Sequence, residues 1–151
     1  MRRSLSRRRL LGLGILAGAA ALGLREVMLH RPDYAGEVLA PDVAHRSALS
    51  GDILLVDIRR PDEWHRTGIG DGAHPLDMRR DDFTQALEAL AEGDRDRPVA
   101  LICARGVRSA RMANRMTEAG FSRILDVPEG MEGSDAGPGW IRRGLPVRTY
   151  G

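Results

Sequence analysis

Short apolar runs punctuate the middle of the chain. Residues 53–56 (Ile-Leu-Leu-Val) end at Asp57, and residues 99–102 (Val-Ala-Leu-Ile) follow Pro98 and end at Cys103. Residues 124–127 (Ile-Leu-Asp-Val) form a third run. Continuous runs of this length suit strands buried on both faces of a parallel sheet. Residues 38–39 read as a short edge strand. Residues 73–76 read as a weaker one, because Pro75 limits its pairing. Between the runs the pattern becomes helical. Pro41 at a first turn and Gly51 past the end predict a helix over 41–49. Phe83, Ala86, Leu87 and Leu90 share one helical face, with Asp81 or Asp82 as cap and Gly93 as stop. Ala110, Ala113 and Met116 mark the buried side of a helix over 109–119 that ends at Gly120. A glycine-rich loop spans 130–139, and a last short segment begins at Trp140. Strands alternating with helices predict an α/β fold with a small, mostly parallel sheet.

The front of the chain breaks this pattern. Residues 1–9 hold five arginines and no acid, and residues 10–24 are all Leu, Ile, Ala or Gly. A spanning helix needs roughly 20 apolar residues, so this run is short for one. A basic start, a short apolar run and many small residues describe an export signal. Small-x-small cleavage sites come early in it, which keeps an uncleaved anchor open. The organisation expected is a signal peptide or membrane anchor over 1–24, a linker over 25–36 and one folded domain over 37–151.

Charge changes meaning once the leader is set aside. The formal net charge is +2, and all 23 basic residues are arginine. Without residues 1–24, 18 arginines face 21 acids. The basic balance belongs to the leader, so no nucleic-acid-binding body is expected. The absence of lysine excludes Schiff-base chemistry and a phosphate loop built on lysine. A single cysteine excludes an internal disulfide framework and any zinc site needing two or four cysteines. The four histidines (His30, His45, His65, His74) show no metal-ligand spacing.

Cys103 follows a predicted strand directly, and parallel α/β sheets place their chemistry at the carboxyl ends of strands. The loop Cys103-Ala104-Arg105-Gly106-Val107-Arg108 leads into a helix. Backbone N–H groups near a helix start can converge on an anion, and the helix dipole adds to them. Gly106 permits a positive φ or a close approach. With Arg105 and Arg108 nearby, these features favour a thiolate, and equally a persulfide anion carried on it. The competing reading is a buried, inert cysteine.

Cys103-Ala104-Arg105-Gly106-Val107-Arg108-Ser109 resembles the active-site loop of the rhodanese family, C-x-x-G-x-R-S. Residues 55–64, Leu-Val-Asp-Ile-Arg-Arg-Pro-Asp-Glu-Trp, resemble its amino-terminal signature, with Asp57, Arg59 and Glu63 at the matching positions. Residues 67–74 look like the turn that follows. Gly130-Met131-Glu132-Gly133 and the stretch from Trp140 to Val147 resemble its closing loop and W-x-x-x-G-L-P-V ending. The resemblance covers roughly residues 36–148. Many family members have a histidine where this chain has Gly68, which leaves His65 or His74 open as a replacement. Separately, Ser6-Arg7-Arg8-Arg9-Leu10-Leu11 resembles the twin-arginine export motif.

The family resemblance implies a rhodanese-like α/β domain over 37–151, its small sheet flanked by helices on both faces. It implies a sulfurtransferase working through a persulfide on Cys103, with no cofactor and no metal. Its partners would be a small anionic sulfur donor such as thiosulfate, and cyanide, a thiol or a sulfur-accepting protein. Ala104, Arg105, Gly106, Val107, Arg108 and Ser109 would cradle the sulfur, and Arg105 would face the anionic donor. Arg108 would brace the loop on Glu63 or Asp57, with Asp57, Arg59 and Glu63 as supports. Trp64 and Trp140 are read as packing residues. The twin-arginine resemblance implies the export machinery as a partner, and a location in a bacterial periplasm or on the outer face of the inner membrane. Two rivals stand beside this reading. A cysteine-dependent phosphatase or arsenate reductase needs C-x5-R, which Ser109 does not satisfy. The other is a non-catalytic sulfur-relay or binding module, and the intact Cys103 counts against a silent binding module, since silent copies commonly lack the cysteine.

Overall fold

The computed structural model describes residues 30–151, so the predicted leader lies outside the described residues. Five strands form one parallel sheet: β1 (Glu37–Val38), β2 (Leu54–Asp57), β4 (Ala73–Pro75), β5 (Val99–Ile102) and β6 (Ile124–Val127). Their order across the sheet is β1-β6-β5-β2-β4. A separate two-stranded ribbon pairs β3 (Ile69–Gly70) with β7 (Val147–Arg148), antiparallel. The helices are α1 (Pro41–Ser50), α2 (Pro61–Thr67), α3 (Phe83–Leu90), α4 (Val107–Glu118) and α5 (Gly139–Arg142).

Side chains alternate across each strand, and that alternation builds two cores. Leu54, Val56, Val99, Leu101 and Ile124 face one side, against Phe83 and Leu87 of α3 and Met112, Ala113 and Met116 of α4. Leu55, Ala100, Ile102, Leu125 and Val127 face the other, against Ala44 of α1, Trp64 of α2 and Trp140 of α5. Helices therefore flank the sheet on both faces, and β2, β5 and β6 are buried throughout, as their largely apolar runs require, with Asp57 and Asp126 the buried acids among them.

Three details differ from the pattern-based expectations. Helix α2 carries too few apolar residues to show a period. Asp82 stands at the cap of α3 without a side-chain bond to its amides, because its carboxylate is taken by Arg80 at 2.7 and 2.8 Å. Residues 31–36, within the predicted linker, have no helix or strand, yet they are fastened to the body. Arg31 binds Asp126, the Tyr34 hydroxyl donates to the Ile124 carbonyl, and Asn114 donates to the Asp33 carbonyl.

Candidate active site

Cys103 leaves the carboxyl end of β5, with β2 and β6 on either side. The next residues turn the chain into α4, and the turn returns over the cysteine. Its Sγ accepts the Gly106 N–H at 3.2 Å and the Ser109 N–H at 3.4 Å. The thiol donates toward the Ser109 hydroxyl at 3.5 Å, which itself donates to the Gly106 carbonyl at 3.3 Å. Cys103 is only 1% exposed. Two of the amides expected to converge on the sulfur do so, and α4 begins directly behind it. Glycine is required at 106: its φ is +80°, and a Cβ there would lie 2.1 Å from the Pro128 carbonyl oxygen. The loop after β6 locks against this turn, since the Met131 N–H binds the Cys103 carbonyl and the Glu132 N–H the Ala104 carbonyl, both at 2.9 Å.

Of the two pairings left open for Arg108, the structure shows Glu63. The guanidinium grips that carboxylate at 2.6 and 2.7 Å, and the Arg60 N–H adds a third bond at 3.1 Å. Burial pushes the Glu63 carboxyl upward, but these hydrogen bonds and the two guanidiniums outweigh it and lower it to about 2. The Glu63 bonds hold Arg108 charged, and the Cys103 sulfur adds to that. Helix α2 thus presents Glu63 to the cysteine loop from across the strand ends.

Asp57 pairs with Arg59 instead. Arg59 then reaches the Thr67 hydroxyl and the Gly68 carbonyl, both at 2.7 Å, tying the end of β2 to the end of α2. This explains the glycine at the family's histidine position. Gly68 has φ +75°, and a Cβ would lie 2.9 Å from the Arg148 carbonyl oxygen. His65 and His74 are both exposed, and His65 packs edge-on against Tyr150. Trp64 and Trp140 are buried in the core, as the packing expectation had them.

Arg105 is exposed, and its Nε lies 3.4 Å from Glu132, which Arg66 also binds at 3.1 Å. Glu132 and Arg66 were not singled out from sequence. Neither was Asp126, a wholly buried acid in β6 whose Oδ2 meets Arg31 at 2.6 Å. Burial raises its carboxyl above the usual range, against the opposing pull of Ser109 and Arg31. One acid inside an otherwise apolar strand was the available signal.

Fold and site together define an α/β protein with a parallel central sheet that holds a thiol under two main-chain N–H groups at a strand end. The chain belongs to the rhodanese family: residues 40–136 match the family described as "Rhodanese-like domain". A sulfurtransferase of Allochromatium vinosum is 29% identical over 115 residues, covering 74% of this chain and 92% of that protein. Thiosulfate sulfurtransferase GlpE of Glaesserella parasuis is 30% identical over 109 residues, covering 72% and 90%. Among solved structures, the polysulfide-sulfur transferase homodimer from Wolinella succinogenes superposes with TM-score 0.56 at 26% identity, covering 76% of this chain and 80% of that one.

Proposed function

We propose that this protein is a sulfurtransferase that carries sulfane sulfur as a persulfide on Cys103. The observation behind this reading is the Cys103 Sγ facing the Gly106 and Ser109 amides, in a loop braced by Arg108 on Glu63. The thiolate attacks the outer sulfur of a donor such as thiosulfate. The donor's S–S bond breaks, sulfite departs with the electron pair, and Cys103 is left bearing a terminal sulfur anion. Cyanide or a thiol then attacks that outer sulfur and releases the thiolate. The loop from Ala104 to Ser109 holds the terminal sulfur, and Arg105 draws in the anionic donor once it leaves Glu132. A phosphatase reading is disfavoured by geometry: both terminal nitrogens of Arg108 are committed to Glu63, and four residues, not five, separate it from Cys103.

The test is thiocyanate formation from thiosulfate and cyanide. Thiosulfate treatment should add one sulfur atom to Cys103, seen by intact mass, and Cys103→Ser should abolish both the adduct and turnover. Thiocyanate formation by that variant would reject the reading, as would hydrolysis of an aryl phosphate with no sulfur adduct.

Residues 1–24 are proposed to send the protein through the twin-arginine route to the periplasm or the outer face of the inner membrane. Arg7→Lys with Arg8→Lys should retain it in the cytoplasm. Normal export of that double variant, followed by cell fractionation, would overturn the assignment.

A further inference from the structure

Glu132 stands on the rim of the cysteine loop and is held there by two cations. Its N–H binds the Ala104 carbonyl at 2.9 Å, which fastens its backbone to the residue next to the nucleophile. Its carboxylate is spanned by guanidiniums from two different elements. Arg66 of α2 meets Oε1 at 3.1 Å, and Arg105 of the cysteine loop reaches Oε2 at 3.4 Å. Arg66 lies one turn after Glu63 on α2, so the helix that braces Arg108 also brings a cation to the rim. The side chains of Arg66 and Arg105 are 57% and 71% exposed, against 25% for Glu132. Arg60, at the start of the same helix, is matched by Asp62 and Glu63. At the rim, by contrast, two positive charges share one negative charge. Contacts this exposed are screened and easily exchanged.

We propose that Arg66 and Arg105 form a two-cation docking rim for the anionic sulfur donor, and that Glu132 fills the place of the donor's sulfonate until the donor displaces it. This rests on the sulfurtransferase reading. Each carboxylate oxygen of Glu132 takes one guanidinium, and two oxygens of a sulfonate accept the same charge-assisted bonds. Thiosulfate carries such oxygens at one end and the transferable sulfur at the other. With its sulfonate on the rim, its outer sulfur is turned toward Cys103. Exchanging one anion for another keeps both arginines paired, so the swing of Glu132 away from the rim costs little. Attraction to the pair of cations grows with the donor's charge, so the rim favours a dianion over a monoanion. Glu132, by competing for the same cations, sets how much donor is needed to fill it.

The test uses the chain's single cysteine. Iodoacetate carries the donor's sign and iodoacetamide carries no charge. The ratio of their alkylation rates at Cys103 therefore reports the charge met on approach and cancels changes in the thiol itself. That ratio should rise about threefold in Glu132→Gln and fall about threefold in Arg66→Gln, the scale of one screened surface charge. Glu132→Asp and Arg66→Lys keep the charge and should stay near wild type, and high salt should bring all the variants together. In turnover, Glu132→Gln should raise kcat/KM for thiosulfate by about threefold to tenfold, through KM, and for singly charged benzenethiosulfonate by about threefold at most. A ratio unchanged in Glu132→Gln or in Arg66→Gln, shifts that persist in high salt, or equal gains for the two donors would overturn the proposal. Alkylation needs no sulfur transfer. The expected ratio shifts in a protein that forms no thiocyanate would reject the sulfurtransferase reading, whereas thiocyanate formation with no ratio shift would reject the rim alone.

Discussion

Asp57-Ile58-Arg59 and Asp77-Met78-Arg79 fold into the same clasp. In each, the arginine N–H meets the aspartate Oδ1 at 3.1 and 3.0 Å, Nε meets Oδ1 at 2.9 and 3.0 Å, and a terminal nitrogen meets Oδ2 at 2.7 and 2.6 Å. The surroundings are opposite. The first pair is wholly buried, whereas the arginine and aspartate of the second are 61% and 17% exposed. Asp-x-Arg therefore sets a local geometry, and the fold decides what that geometry is worth. Buried, the clasp has desolvated two charges and recruits Thr67 and Gly68 to satisfy the rest of the guanidinium, which joins β2 to α2 beside the cysteine loop. Exposed, it is screened by water and salt.

Breaking the buried clasp should have the largest effect. Arg59→Met strands the Asp57 carboxylate and frees the Gly68 carbonyl, and a stranded buried charge costs about 3–5 kcal/mol. Urea unfolding of Arg59→Met beside Arg79→Met reads the contrast directly; equal midpoints would show that burial does not set the difference. An intermediate case is Glu63 with Arg108. The Glu63 carboxyl sits at about 2 when folded, below its ordinary 4.5. A depressed carboxyl contributes stability above its unfolded value and loses it as pH falls toward the folded one. Wild type should thus lose about 2–3 kcal/mol between pH 4.5 and 2 through this group, and Glu63→Gln should show a correspondingly flatter stability curve over that window. The smallest effect belongs to Arg79→Met. Its urea midpoint should match wild type within error, and any residual difference should disappear in high salt.

How much of this was legible follows from how local each feature is. The limits of β5 and β6 match their apolar runs, because a strand buried on both faces tolerates little else. The cysteine loop was legible for the same reason: Gly106, Arg108 and Ser109 act within six residues of Cys103. Choosing Glu63 over Asp57 for Arg108 was not, since it depends on which carboxylate Arg59 has already claimed. Helix α2 was hidden because only Glu63 and Trp64 are buried in it, although Pro61 at its start and acids in its first turn were usable cues. The β3–β7 ribbon joins residues some 80 positions apart through two-residue strands, which leaves no periodic trace. Asp126 shows only as one acid in a strand, and its counter-ion Arg31 lies 95 positions away, a pairing that sequence spacing does not connect.

Arg31 and Tyr34 precede the first strand, yet both are anchored on β6. That sets a boundary for proteolytic trimming from the front of the chain. A cut beyond Tyr34 removes the counter-ion of an interior acid and uncovers the Ile124 carbonyl in one stroke, so a protease that trims past that point strips two anchors of β6 at once.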